Sequence, residues 1–364
     1  MILALAKEIR IRKKEFENET IETIYFGGGT PSIVQIADLR FLIDEVCKNY
    51  RVSKNPEITL EANPDDLISL SVRAQSRTIF EDYKSIGINR LSIGIQSFFD
   101  DDLTMMNRAH NSVDARKCLE EATKYFDNIS LDLIYGIPES SQNGEQAQQM
   151  SNKKWKQNIE MALSFGIPHI SSYALTVEPK TALNKFIQTG KIDKPKDEVA
   201  EEHFQILVEM LEKNGFIHYE LSNFGKENYF SKNNSAYWLG KKYIGIGPSA
   251  HSYDGISRSW NISNNAVYLN SLEENKLPCK TEILSKTDRY NEYIMTGLRT
   301  IWGVSLDRIE KEFGIPYLEY LTIQAQKFLE DNLLSIEENV LKATKKGKFL
   351  TDGIASDLFL VNLT

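Results

Sequence analysis

Short apolar runs alternate with longer amphipathic segments along the first two thirds of the chain. Six runs have the composition of strands: Ile24–Phe26, Glu57–Asn63, Arg90–Ser97, Ile129–Gly136, His169–Val177 and Tyr219–Phe224. They show little alternation of apolar and polar residues, which is typical of strands covered on both faces. Because helical segments separate them, the pattern predicts a parallel α/β sheet, curved into a full or partial barrel.

The segments between the strands have helical periodicity. An amphipathic helix is predicted at the amino terminus. The later helices are predicted at Ile36–Tyr50, between Asp65 and Ile86, at Phe98–Met106, at Val113–Phe126, in a segment ending at Phe165 and at Asp197–Asn214. A polar loop is predicted around Ser140–Gln149. Glycine and proline residues mark several of the boundaries, as is usual for turns.

The first strand leads directly into a glycine-rich turn, in the sequence TIYFGGGTP at Thr23–Pro31. Three consecutive glycines permit positive φ angles and let a ligand approach the backbone without meeting a Cβ atom. The spacing is neither the G-x-G-x-x-G dinucleotide motif nor a P-loop, since no Gly-Lys-Ser/Thr follows. One glycine would indicate a plain turn, whereas three favour a ligand-binding loop at the carboxyl end of a strand.

Polar side chains lie near the ends of three other predicted strands. They are Glu61, Gln96 and Asp132. Any one of them could serve as a helix cap or a loop anchor. In a βα barrel, however, the carboxyl ends of all strands meet at one mouth, so several polar residues at the same relative place predict a shared ligand site.

The last third of the chain has a different character. Tyr229–Trp238 is rich in aromatic and amide side chains, and Tyr243–Tyr253 carries a second glycine-bearing element. We expect these segments either to cap the barrel or to form a flat surface for a planar ligand. Three helices and a hairpin are predicted after them, at Asp288–Thr300, Ser305–Phe313, Tyr317–Asn332, Leu333–Ile336 and Val340–Ala343. The predicted domains are 1–225, 226–284 and 285–364.

Charge and cysteine content narrow the function classes. The net charge of −8 argues against a nucleic-acid binder, although three helices followed by a hairpin wing can bind DNA. The only basic cluster of that region, Lys345, Lys346 and Lys348, is interpreted as a solvated turn. No apolar run approaches the ~20 residues of a membrane-spanning helix. Three widely separated cysteines favour the reducing cytoplasm and no disulfide framework.

Seven segments occur in an order that resembles one protein family: TIYFGGGTP, ITLEANPDDL, RLSIGIQSF, NRAH, LDLIYGIP, SYALTVEP and GIGPSAHSY. Together they resemble the HemN/HemW branch of the radical S-adenosylmethionine (radical SAM) proteins, and HemW-like members most. The likeness covers nearly the whole chain, and the ending GKFLTDGIASDLFL is similar to the HemN C-terminal domain. It implies a partial (βα)6 TIM-like barrel without its first strand, followed by a winged-helix-like domain.

The resemblance implies an S-adenosylmethionine site, whose roles are carried over by position. Gly28, Gly29 and Thr30 match the glycine motif that receives the methionine end. Glu61 matches the acceptor for the ammonium group. Arg108, in NRAH, matches the partner of the carboxylate, for which a planar bidentate donor is well suited.

Further positions of the same implied site lie on later strands. Gln96 and Asp132 match positions near the ribose, where an amide and a carboxylate suit vicinal hydroxyl groups. Ala174, in SYAL, matches a backbone contact beside the adenine. His251 falls near another family contact.

The family's 4Fe-4S cluster is held by a Cys-x-x-x-Cys-x-x-Cys loop, and this sequence contains no such loop. Cys47, Cys118 and Cys279 are too widely spaced to replace it. We therefore expect no radical chemistry from the chain as it is written. Two explanations stay open: a start codon placed downstream of the cluster-binding segment, or a truncated paralogue.

HemW-like members also carry a haem-associated motif, His-Asn-x-x-Tyr-Trp. Here the motif is NNSAYW, which begins at Asn233 and ends with Tyr237 and Trp238. A carboxamide is a poor iron ligand compared with an imidazole, so axial ligation by this motif is in question. The two aromatic rings retain the capacity to stack on a porphyrin. His218 and His251 are the alternative ligands.

Three functional hypotheses follow from the resemblance. The first is a HemW-like haem chaperone that binds haem, delivers it to respiratory proteins, and makes peripheral contact with a membrane. The second is an oxygen-independent coproporphyrinogen III oxidase of porphyrin biosynthesis. The third is a degenerate, non-catalytic paralogue, which the missing cysteine loop and Asn233 favour. The segments HYELSNF and NNSAYW are similar to HemW and place the chaperone first.

Overall fold

The computed structural model describes residues 1–73, 78–138 and 145–361 of the chain. The first part of the polar loop predicted around Ser140–Gln149 therefore lies outside the described residues. The prediction is wrong for the second part, because a helix begins at Glu145. Five parallel strands form the main sheet: β1 Ile21–Phe26, β2 Val52–Ala62, β3 Arg90–Gln96, β4 Ile129–Tyr135 and β5 His169–Ala174. The first five strands of the sequence prediction are thus confirmed.

Helices precede and connect these strands. They are α1 Ile2–Ile11, α2 Ile36–Asn49, α3 Pro64–Arg73, α4 Ile79–Ser85, α5 Asp100–Met105, α6 Ser112–Tyr125, α7 Glu145–Ser164, α8 Ala182–Gln188 and α9 Asp197–Lys213. Two of them begin with capping boxes, at Thr78 and Asn111. In each box the side chain of the capping residue accepts from the N–H of the third helical residue, whose own side chain accepts from the N–H of the capping residue. Within the described residues, no helix has the length and apolar character needed to span a bilayer.

The sixth predicted strand, Tyr219–Phe224, is instead an antiparallel hairpin of β6 Ile217–Glu220 and β7 Asn223–Gly225. Strand β7 pairs antiparallel with β5, so the expectation of a wholly parallel sheet is wrong at this edge. The reason is the connection: two residues cannot form a helical crossover, whereas they suffice for a hairpin. The Glu220 side chain accepts hydrogen bonds from Ser222 N, at 3.0 Å, and from Asn223 Nδ2.

The sheet order is β1-β2-β3-β4-β5-β7-β6, a curled half-barrel. Its outer face packs against the helices through apolar residues such as Ile58, Leu60 and Ile93. Successive strand residues point to opposite faces, so Thr59, Glu61 and their neighbours line the inner face. The strands are therefore apolar on one face and polar on the other, which corrects the prediction of strands with little alternation.

A second, smaller sheet follows the half-barrel. Its strands are β8 His251–Tyr253, β9 Ser257–Asn261 and β10 Cys279–Ile283, in the antiparallel order β10-β9-β8. Helix α10 Lys232–Trp238 precedes this sheet and α11 Asn265–Glu273 connects its last two strands.

The carboxyl-terminal region has its own apolar core, around Tyr290, Ile294 and Leu298. It comprises α12 Lys286–Leu298, β11 Val304–Ser305, α13 Leu306–Arg308 with a π-helical turn Ile309–Phe313, α14 Ile315–Glu330, β12 Leu334–Glu337, β13 Val340–Ala343 and α15 Thr351–Asp357. The predicted helices and hairpin are thereby confirmed.

The lysine cluster of this region is not wholly solvated, in contrast to the prediction. Lys345 pairs with Glu212 at 2.9 Å on the surface. Lys348, however, is half-buried and donates to His218 Nδ1 at 2.9 Å. Burial lowers the pKa of Lys348 to about 8. This contact attaches the carboxyl-terminal region to the β6–β7 hairpin.

Candidate functional site

The glycine loop lies at the carboxyl end of β1, as its sequence predicts. Gly28 and Gly29 have φ angles of +76° and +79°, which L-residues with side chains rarely adopt. A Cβ atom on Gly27 would lie 2.5 Å from the Tyr25 ring and 2.9 Å from Glu61 Oε1. Each glycine is therefore required, by conformation at two positions and by close packing at the third. Thr30 follows immediately and precedes a short 3₁₀ turn, Pro31–Ile33.

Glu61 connects the first two strands at this end. Its Oε2 accepts from Gly28 N at 3.1 Å, and its Oε1 accepts from the Tyr25 hydroxyl at 2.7 Å. The carboxylate is thereby fixed in orientation beside the backbone of the glycine loop. Burial and the nearby Glu61 carboxylate raise the pKa of the Tyr25 phenol, so Tyr25 remains a hydrogen-bond donor at neutral pH.

Asp132, on β4, is half-buried and lies close enough to Glu61 for their charges to interact. Burial, followed by repulsion from Glu61, raises the pKa of Asp132 to about 7. A hydrogen bond with Ser171 and the charges of Arg90 and Arg108 act in the opposite direction. Asp132 is therefore a carboxylate whose charge is only partly compensated.

Arg108 approaches the same opening from the loop between α5 and α6. Its side chain is exposed, and it forms no ion pair among the residues that the structure describes. Loss of hydration lowers the pKa of Arg108, while the charges of Asp132 and Asp65 act to raise it. His110, also from the NRAH motif, anchors this loop through its ring Nε2, which lies 3.1 Å from Ile95 O.

Gln96 ends β3 with a φ angle of +66°, in the left-handed region. The β3–β4 register shifts between Ile93 and Gln96, so the strand is irregular where it reaches the opening. A Cβ atom on Gly94 would lie 2.8 Å from Gln96 Nε2, and the glycine thus leaves room for the amide. Strained backbone of this kind at a cleft is typical of functional sites.

The glycine loop, Glu61, Asp132 and Arg108 interact around one opening, and the buried Gln96 ends the neighbouring strand β3. We call this group the mouth: Gly27–Gly29, Glu61, Gln96, Arg108 and Asp132. Ala174 ends β5 at the same edge and is exposed, and it pairs in register with Tyr135 of β4. The sequence analysis did not identify Tyr25, Ser171 or His110 as members of the site. Alternate residues of a strand share one face of the sheet, and Tyr25 and Ser171 lie on strands next to those of Glu61 and Asp132. Applying this alternation to the neighbouring strands would have placed Tyr25 and Ser171 on the same face as Glu61 and Asp132.

At the opposite, amino-terminal end of the strands lies a second polar cluster. We call it the floor: Arg90, Asn128, His169, Tyr219 and the segment 229–233. Arg90, His169 and Tyr219 are each at most 1% exposed. His169 Nε2 lies 2.7 Å from the Tyr219 hydroxyl, which also accepts from Ser231 N at 3.3 Å. Arg90 donates to Asn128 and to Tyr229 O.

A chain of hydrogen bonds connects the floor with the mouth. His169 Nδ1 lies 2.7 Å from Ser130 Oγ, and Ser130 Oγ lies 3.2 Å from Ser171 Oγ. Ser171 in turn hydrogen-bonds Asp132. The inner face is thus one continuous polar surface, because alternate residues of adjacent strands share it.

The predicted haem-associated residues fall into separate places. Asn233 is the last residue of the floor; its Oδ1 accepts from Thr23 Oγ1 and its N–H donates to Glu57, each at 3.2 Å. Tyr237 and Trp238, one turn later on α10, line a cavity of about 560 Å³. His251 is exposed on β8, is not among the lining residues, and stacks on Trp260 with the ring centroids 6.2 Å apart.

His218, named as an alternative haem ligand, is not available for iron. Its Nε2 lies 3.0 Å from Leu221 O and its Nδ1 receives the Lys348 hydrogen bond. Burial lowers the pKa of His218 to about 3. Both ring nitrogens are occupied, so His218 is a structural histidine.

The described cysteines do not form a metal site. Cys47 is exposed, Cys118 is buried and Cys279 is intermediate, and they lie on different elements. Within residues 1–73, 78–138 and 145–361, no group of three or more His, Cys, Asp or Glu side chains could hold a metal ion. The donor set required by a 4Fe-4S cluster is not present among these residues.

The half-barrel with a glycine loop and charged mouth, followed by a separate helical region, defines a class of protein. Residues 4–149 match the Radical SAM superfamily and residues 284–350 match the HemN C-terminal domain. The E. coli coproporphyrinogen III oxidase HemN, a radical SAM enzyme, superposes with a TM-score of 0.79 over 98% of this chain and 82% of that one, at 19% identity. That likeness shows the fold.

The particular family follows from the curated relatives. Heme chaperone HemW of Bacillus subtilis is 32% identical, over 91% of this chain and 83% of that protein. Heme chaperone HemW of Mycobacterium tuberculosis is 30% identical, over 98% and 85%. The chain belongs to the HemW family of radical SAM proteins.

Proposed function

We propose that this chain is a HemW-like haem chaperone, which holds S-adenosylmethionine at the mouth, binds haem near α10 and delivers it to haem-accepting respiratory proteins. The observation that carries the proposal is the convergence of the mouth, where groups from β1 to β4 surround one opening. The relatives named heme chaperones supply the class of cargo.

The mouth fits the methionine end of S-adenosylmethionine. Gly28 and Gly29 leave a stretch of backbone without Cβ atoms, and nothing lies within 4 Å of the ideal Cβ positions. With Thr30, this loop would lie along the methionine. Glu61, oriented by two hydrogen bonds, would accept from its ammonium. Arg108, which has no ion-pair partner among the described residues, would pair with its carboxylate.

The other half of the cofactor carries a ribose diol and an adenine. Gln96 ends β3 and Asp132 lies in the middle of the adjacent strand β4, and the two side chains would hydrogen-bond the two hydroxyl groups. Ala174, at the exposed end of β5, would offer its backbone to the adenine. When bound, S-adenosylmethionine supplies a sulfonium cation, and the charges of Glu61 and Asp132 favour a cation at this opening.

The 4Fe-4S cluster does not fit the residues of this chain, so we derive no radical step. The haem-binding role needs no such step. It requires an aromatic surface for the macrocycle and a path to the acceptor protein. Tyr237 and Trp238 provide two rings on one cavity. Asn233, held by Thr23 and Glu57, would not ligate iron in this arrangement.

The proposed haem binding is tested by titrating the purified chain with haemin and following the Soret band. We expect the Soret band of haemin to shift when the chain is added. When apomyoglobin is added afterwards, the band should move to the position of holomyoglobin, because haem is transferred. Trp238→Leu should weaken haemin binding about tenfold, since an aromatic stacking partner is lost.

Trp260→Leu is the matched control, because Trp260 stacks on His251 outside the cavity. It should bind haemin as the unaltered chain does. Absence of any Soret shift would contradict the chaperone function. A loss of binding in Trp260→Leu alone would relocate haem to the His251 side of the small sheet.

A further inference from the structure

The cavity of about 560 Å³ lies between residues 226–284, which we call the capping segment, and the carboxyl-terminal region. Its walls come from α10 and the loop after it, from β8 to β10, from α12 and from the π-helical turn. The volume is within the ordinary range for small-molecule sites. Aromatic rings form much of the wall, including Tyr237, Tyr243 and Tyr253, with the first two centroids 4.4 Å apart.

Most carboxylates that line the cavity are already engaged. Glu292 pairs with Arg258 Nη2 at 2.9 Å, and Glu312 pairs with Arg308 Nε at 2.9 Å. Asp288 accepts from Ser285 N at 2.9 Å as part of the capping box of α12.

Glu282 is exposed and lies opposite Arg258 in the β9–β10 register. Arg308, besides its ion pair, lies over the Tyr293 ring at 4.2 Å. The carboxylates of the cavity and Arg308 thus interact with partners in the wall or with solvent.

Two arginines of the wall remain to be considered. Both line the cavity, Arg258 from β9 and Arg289 from α12. Among the described residues, the Arg289 side chain forms no ion pair or hydrogen bond, and Arg258 pairs only with Glu292. Two guanidinium groups at one aromatic cavity, one of them without a partner, point to a ligand that carries carboxylates.

We propose that Arg258 and Arg289 receive the two carboxylates of a planar aromatic macrocycle, namely the propionates of haem, while the aromatic wall contacts its ring. The inference rests on the proposed haem-chaperone function and adds the site and the orientation. Guanidinium groups bind carboxylates with paired, charge-assisted hydrogen bonds, and the rings suit an extended apolar face.

One arginine belongs to the capping segment and the other to the carboxyl-terminal region. A ligand that bridges them would therefore join the two parts of the chain. Binding of haem should then stabilise both parts together, because a ligand that binds only the assembled site favours the folded, docked state.

The test compares haemin with its dimethyl ester, whose propionates carry no charge, in titrations of the full chain followed at the Soret band. The unaltered chain should bind haemin at least tenfold more tightly than the ester. The double variant Arg258→Gln/Arg289→Gln should lose at least tenfold in haemin affinity and no longer distinguish the two ligands. Arg40→Gln, at an exposed position on α2, is the matched control and should behave as the unaltered chain.

The outcomes separate the inference from the function on which it rests. If haemin binds with equal affinity to the unaltered chain and the double variant, and the ester binds as well as haemin, the arginine assignment is overturned and the chaperone proposal stands. If haemin does not bind the unaltered chain, both fall. The comparison of the two ligands on the unaltered chain needs no variant and is independent of any folding defect.

Discussion

At the floor of the half-barrel, Arg90, His169 and Tyr219 are fully buried, and each has hydrogen-bond partners within the fold. At the mouth, on the same inner face, Arg108 is exposed without an ion-pair partner among the described residues, and Asp132 is half-buried with a raised pKa. The strands supply polar residues to both ends. Those of the floor are paired within the fold, whereas the mouth combines the hydrogen-bonded Glu61 with Asp132, whose charge is only partly compensated.

From this difference we expect the floor to serve stability and, under the proposed function, the mouth to serve binding. Polar groups that are satisfied inside the fold rigidify it, and their removal leaves buried partners unpaired. Groups that are held in place without a full set of partners lower stability and favour a ligand that completes them. Substitutions at the floor should therefore destabilise the fold, whereas substitutions at the mouth should change binding.

The largest expected effect is on the pH dependence of stability. Burial lowers the pKa of His203 to about 4 and that of His218 to about 3, whereas an unfolded histidine titrates near 6.5. As the pH falls below about 6.5, the unfolded chain binds protons that the folded chain does not, so stability decreases. Each histidine should lower the free energy of unfolding by about 2 kcal/mol between pH 7 and pH 5.

Asp132 acts in the opposite direction over the same range. Its folded pKa, about 7, is above its unfolded value, so the folded state gains stability as the pH falls from 7. In urea titrations, the Asp132→Asn variant should therefore lose stability more steeply than the unaltered chain between pH 7 and pH 5. Parallel profiles would show that Asp132 is not a destabilised carboxylate.

A smaller effect is expected from one hydroxyl at the floor. Tyr219→Phe leaves His169 Nε2 and Ser231 N without their partner in a dry environment, at a cost of about 2 kcal/mol. The matched change at the mouth is Tyr25→Phe, which should cost less than about 1 kcal/mol, since Glu61 retains Gly28 N. Urea unfolding at pH 7 measures both, and equal costs would remove the distinction between floor and mouth.

At the mouth, one substitution is expected to raise stability. Asp132→Asn should raise the free energy of unfolding by about 1 kcal/mol at pH 7, because repulsion from Glu61 and the loss of hydration are removed. The value is discounted from the full pKa difference, since Asp132 is only half-buried. A thermal melt of the variant at pH 7 and pH 5 checks it: the gain should shrink at pH 5, and a loss at pH 7 would contradict it.

The mouth could be predicted from the sequence because its geometry follows from a rule. Parallel strands joined by helices place their carboxyl ends at one edge, so Glu61, Gln96 and Asp132 were expected to meet there. Glu61 and Gln96 do lie at the ends of their strands, whereas Asp132 lies in the middle of β4 and still interacts with Glu61 across the inner face. The floor could not be predicted from the sequence, because its contacts join distant parts of the chain. Asn233 N contacts Glu57 across 176 positions, and no local pattern encodes that distance.

The hairpin and Lys348 escaped prediction for other physical reasons. The run Tyr219–Phe224 begins and ends with aromatic β-forming residues, and its turn lacks the Asn-Gly or Gly-rich signal of common hairpins, so nothing marks a turn within it. Lys348 is a charged residue in a lysine-rich turn, and only the packing of the carboxyl-terminal region beside His218 buries it in part.

The central claim, that the mouth is one S-adenosylmethionine site, is tested most directly by isothermal titration of the full chain with S-adenosylmethionine. The account predicts measurable binding that Arg108→Gln weakens at least tenfold, since a charge-assisted pair with the carboxylate is lost. Arg116→Gln, an exposed position on α6 with the same change of charge, should leave the affinity unchanged. Equal affinities for the unaltered chain and Arg108→Gln, or no binding at all, would contradict it.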